Sequence, residues 1–102
     1  MASLKVGTGS TTPGTGWQIY TTDGIYIDVN TSSANFSSTP VYVASLRSNM
    51  ISSQWKVDGV DGIYNATPTG FRIYIRWWNG TPMTPAMANQ NGWSVDWIGV
   101  GS

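Results

Sequence analysis

Between Gly70 and Trp78 the chain reads Gly-Phe-Arg-Ile-Tyr-Ile-Arg-Trp-Trp, and side-chain character changes at every step as far as Trp77. A β-strand sends successive side chains to opposite faces, so this stretch sorts into two sets. Phe71, Ile73, Ile75 and Trp77 form one wholly apolar face, which belongs in a core. Arg72, Tyr74, Arg76 and Trp78 form the other. Two cations and two aromatics are an unusual load for a face that meets only water. Turn signals bound the strand. Thr69-Gly70 follows Pro68, and Asn79-Gly80 follows Trp78; glycine tolerates the positive φ that tight turns demand.

The rest of the chain repeats this logic in shorter pieces. Trp17–Tyr20 reads as a strand, Asp23-Gly24 as a hairpin turn, and Ile25, Ile27 and Val29 as one buried face of the next strand. Phe36 is an apolar anchor in a polar loop. Pro40 opens a strand, where a sheet tolerates proline, and Val41, Val43 and Ser45 then alternate with Tyr42, Ala44 and Leu46. Arg47–Ser53 reads as loop, and Trp55–Thr67 as a strand region broken by the two Asp-Gly pairs at 58–62. Residues 79–91 read as a long loop. In the closing strand Trp93, Val95 and Trp97 face inward, with Ser94, Asp96, Ile98 and Val100 outward. No segment has a helical period, so the fold class is all-β, a sandwich or small barrel. Residues 1–15, rich in Gly, Ser and Thr, read as a flexible lead-in with at most a short strand at its start; residues 16–102 form the domain. Apolar residues on the outward faces of both the central and the closing strand imply a cover from outside the monomer, most simply a symmetric oligomer.

Composition narrows the chemistry. Five basic and five acidic residues cancel, and only 10% of the 102 residues are charged. Such a chain has no electrostatic hold on nucleic acid or an anionic membrane. There is no His, no Cys and no Glu. That removes disulfides, thiolate nucleophiles, histidine acid–base chemistry and the usual zinc ligands. Catalysis would need two of the five aspartates facing one bond, as in glycoside hydrolysis, and no pair declares itself. Asp58 and Asp61 in a glycine-rich turn fall short of a calcium loop. Neither an N-terminal apolar h-region nor a run of about 20 apolar residues is present. The expectation is a cytoplasmic chain, one secreted after processing, or a piece of a longer protein, not inserted in a membrane. Aromatics are abundant instead, with six Trp and five Tyr. Together with Asn, Ser, Thr and Gly they compose a surface suited to uncharged polar ligands.

Four stretches resemble the H-type lectin domain, first known from snail agglutinins. They are Gly16-Trp17, Thr39-Pro40-Val41-Tyr42-Val43-Ala44-Ser45-Leu46, Pro68-Thr69-Gly70-Phe71 running to Trp78, and Ser94-Val95-Asp96-Trp97-Ile98-Gly99-Val100. The resemblance implies a six-stranded antiparallel β-sandwich that assembles as a trimer and binds terminal N-acetylgalactosamine or galactose-type glycans between protomers. The apolar outward faces would then meet at the threefold axis. The family's sugar-contacting tryptophan falls on Trp78. The histidine that follows it in the best-known members is Asn79 here, a polar side chain that donates and accepts. A basic residue of the preceding strand falls on Asp58, with Lys56 nearby as a substitute. Asp23 is the only carboxylate in a shortened first loop, and an aromatic near the start of the last strand falls near Asn91.

Each candidate has a structural reading beside the functional one. Trp78 is a stacking platform for a sugar's C–H face or a contact to a neighbouring protomer. Asn79 and Asn91, with Asn89 and Gln90, offer amides to hydroxyls or simply make turns. Asp23 accepts sugar hydroxyls or closes an Asp-Gly hairpin. Arg72 and Arg76 form ion pairs with Asp96 on a neighbouring strand or protomer, or contact ligand. The leading expectation is a trimeric, non-catalytic lectin without metal or cofactor. The alternative is a structural trimerisation module of a larger fibre or surface protein.

Overall fold

The computed structural model describes residues 4–48 and 54–102. Among the described residues eight strands, all paired antiparallel, form two sheets: β1 (Lys5–Ser10), β2 (Gln18–Ile19), β3 (Gly24–Asn30), β4 (Val41–Arg47), β5 (Val57–Asp58), β6 (Tyr64–Thr67), β7 (Gly70–Trp77) and β8 (Ser94–Gly101). One sheet runs β1-β8-β4. The other runs β2-β3-β7-β5, with β6 also paired to β7. Six strands have four residues or more; β2 and β5 are two-residue additions at the ends of the second sheet. The all-β expectation holds, with a sandwich-like arrangement.

The core lies between the sheets. From one side come Ile25, Ile27 and Val29 of β3 with Phe71, Ile73 and Ile75 of β7, all buried. From the other come Tyr42 of β4 with Val95 and Trp97 of β8. The rings of Tyr42 and Phe71 meet across the layers at 4.6 Å. The period-two reading of β7 is thus realised on its inner face, and Phe36 is the buried anchor expected of it. Trp17 is buried too, its indole N–H donating to the Trp93 carbonyl at 3.1 Å.

Three expectations change. The lead-in is not separate from the domain, because β1 is in register with β8 along its whole length, from Lys5–Gly101 to Ser10–Asp96. Its inner positions are Gly7 and Gly9, over which the Phe36 and Trp97 rings lie. The long loop contains a helix, α1 (Pro85–Gln90), with proline in its first turn where the missing N–H is harmless. Ser94, expected outward, is buried. The Arg47–Ser53 loop falls largely on residues 49–53, outside the described residues.

The two outward apolar faces also part company. On the first sheet the register aligns Val6, Val100 and Val41 in one row and Thr8, Ile98 and Val43 in the next. Val41 and Val43 are 71% and 61% exposed. The outward face of β7 belongs to the other sheet, on the opposite side of the sandwich. A single threefold axis cannot be lined by both.

Candidate functional site

The turn after β7 builds a cavity. Gly80 N–H donates to the Trp77 carbonyl at 3.1 Å, and Gly80 takes φ 76°. Thr81 N–H donates to Asn79 Oδ1 at 3.1 Å, an Asx turn that occupies the amide oxygen and leaves the amide N–H groups for a ligand. Trp78 N–H donates to the Lys56 carbonyl at 2.8 Å, which fixes the Gln54–Lys56 3-10 turn beside it. The result is a space of about 260 Å³ lined by Lys56, Trp77, Trp78, Asn79 and Thr81. Trp77 is held from below by an edge-on contact of 5.4 Å with buried Trp93. Trp78 stands 60% exposed.

Three of the five expected residues, Lys56, Trp78 and Asn79, therefore share one site. Asp23 lines a neighbouring groove of about 290 Å³ with Tyr20, Asp58, Tyr74 and Arg76, and it accepts a hydrogen bond from Thr21 Oγ1 at 2.8 Å. Asn91 belongs to neither. It ends α1, its amide donating to the Met87 carbonyl at 2.9 Å while its own carbonyl accepts from Ser48 Oγ. Helix capping is its work here. Sequence reasoning missed Trp77 and Thr81, which line the site. The signal available was their place on either side of Trp78 and Asn79. Trp55, 78% exposed with Lys56 Nζ 5.0 Å from its ring centroid, does not line it.

The cations resolve differently from the expectation too. Arg72 forms a two-point ion pair with Asp28, its register partner on β3, at 2.6 and 3.0 Å. Its guanidinium lies 4.1 Å from the Tyr26 ring centroid. The hydrogen bond to Asp28, and then that to the Tyr74 hydroxyl, push the Arg72 pKa further up. Asp96 pairs instead with Arg47 on the other sheet at 2.8 Å. Among the described residues Arg76 has no ion pair.

The Trp78 site is an aromatic surface with a few polar groups and no concentration of charge, which is chemistry for holding a neutral polar ligand. No family model matches the chain, and neither a curated protein nor a solved structure matches it.

Proposed function

We propose that this protein is a non-catalytic carbohydrate-binding module that assembles as a trimer and takes neutral sugars of the N-acetylgalactosamine or galactose type. One observation carries the reading: the exposed Trp78, Asn79 and Lys56 line one cavity. An indole gives a pyranose C–H face area without demanding charge. The amide N–H groups and the ammonium donate to hydroxyl or acetamido oxygens. The resemblance of the four sequence stretches to H-type lectins points the same way. Gln54 Nε2 donates to the Leu46 carbonyl at 3.0 Å, tying the 3-10 turn to β4. The cavity therefore sits on the flank of the sandwich, where a seam between protomers would run and a neighbour would complete it. Three weak sites on one rigid body would add avidity for a multivalent glycan surface.

The aliphatic face of β1, β8 and β4 favours a second reading, a structural trimerisation module of a larger fibre or surface protein. Trp78→Ala separates the two. For a lectin, Kd for N-acetylgalactosamine or galactose rises by at least about tenfold, or about 1.4 kcal/mol, while the trimer mass persists. Absence of binding to any glycan on an array, with the trimer intact, would leave the structural reading.

A further inference from the structure

The outer face of β7 carries more than the Trp78 cavity uses. Trp78, Arg76 and Tyr74 alternate onto it, each about 7 Å from the next along a strand. The opposite strand keeps step: Lys56 faces Trp78 through the backbone hydrogen bond, and Asp58 is the register partner of Arg76. Only the Val57–Trp77 rung separates them, so residues lining the second groove follow those lining the first cavity along both strands.

That groove has the same kind of construction. Its floor is Tyr74, with the 60% exposed Tyr20 packed on it at 4.7 Å. Asp23 and Gly24 form one bank, Asp58 and Gly59 the other. Gly24 is the register partner of Arg76 on β3. Gly59 has φ 101°, and a Cβ there would run into the Tyr74 carbonyl. The two cations of β7 also divide in role. Arg72 is locked to Asp28, whereas Arg76 makes no ion pair among the described residues although Asp58 is directly opposite.

We infer that the ligand is an oligosaccharide laid along β7, with one unit on Trp78 and a second, further along the sugar chain, on Tyr20 and Tyr74. Asp23 and Asp58 accept hydroxyl hydrogen bonds from the second unit, and Arg76 donates to its ring or linkage oxygens. This rests on the carbohydrate reading above and adds the length of chain recognised. A single exposed aromatic would serve a terminal sugar; two aromatic surfaces on one strand, with Arg76 and its register partner Asp58 between them, serve a chain.

The test is calorimetric titration of the intact protein with soluble monovalent probes: galactose, N-acetylgalactosamine, lactose, and tri- and tetrasaccharides ending in either sugar. Affinity should rise at least about tenfold from monosaccharide to the best tetrasaccharide. Tyr20→Ala and Arg76→Gln should each remove most of that gain and leave monosaccharide affinity unchanged, with circular dichroism confirming the fold. Affinity independent of length, or a Tyr20→Ala loss equal for both probe sizes, overturns the inference and spares the single-sugar site. Failure of every probe overturns the carbohydrate reading and this inference with it.

Discussion

The Tyr42 hydroxyl joins the two sheets. It donates to the Thr67 carbonyl of β6 at 2.7 Å and accepts from Thr31 Oγ1 at 2.7 Å. Thr31 is fully buried, so its hydroxyl has no water to turn to. Tyr42→Phe keeps the ring contacts to Phe71 and Trp97 and deletes only the oxygen. Unsatisfied buried groups cost about 1–3 kcal/mol, and we expect a loss in that range by urea denaturation. A loss under about 0.5 kcal/mol would mean that Thr31 and Thr67 find other partners. Trp78 is the opposite case. Its exposure makes Trp78→Ala nearly neutral for folding, so a loss of glycan binding there with the assembly mass kept reads on the ligand. This contrast between two aromatics was invisible in composition, since both lie in strands or at their ends and both carry a polar handle.

At the scale of elements, β1 shows what hydrophobic periodicity misses. Its inner face presents Gly7 and Gly9 because aromatic rings occupy the space that side chains would fill; a Cβ at Gly9 would stand 2.8 Å from the Trp97 indole nitrogen. A strand whose buried positions are glycines has no apolar alternation to read. Gly9→Val should therefore destabilise by about 1–3 kcal/mol through overpacking, measured as a lower urea midpoint with an unchanged slope. A midpoint equal to wild type would show that β1 contributes little to the sheet. The helix α1 escaped for another reason: six residues are too few turns for a period to register. β3 and β7 were legible because their inner faces are unbroken Ile, Val and Phe.

For the whole molecule, the proposed assembly needs an outer surface that could meet another copy. The face formed by Val6, Val41, Val43, Ile98 and Val100 is uncharged over two rows, with Thr8 its one hydroxyl; of the charged pair Arg47–Asp96, Asp96 lies one row further along and Arg47 the row beyond. Aliphatic side chains offer nothing to a polar ligand and lose nothing when covered, whereas the tyrosine and arginine face does offer hydrogen bonds. Self-association is thus expected through the first sheet. Light scattering should give a trimer mass for the wild type and a monomer mass for Val43→Lys combined with Val100→Lys, with the β-sheet circular dichroism kept. A wild-type mass of one chain, or a trimer that survives both lysines, would rule this surface out.

Side-chain alternation alone determined which residues of β3 and β7, and of β8 beyond Ser94, enter a core, because strand geometry fixes the two faces locally. It also placed Trp78 and Asn79 side by side at a turn. Only the tertiary structure decided that Arg72 meets Asp28 while Asp96 meets Arg47, and that Lys56 joins Trp78 whereas Asn91 does not. It likewise put the two outward apolar faces on opposite sides of the sandwich. Strand order and register come from contacts between segments far apart in the chain, and no local pattern encodes which strand a given face will lie beside.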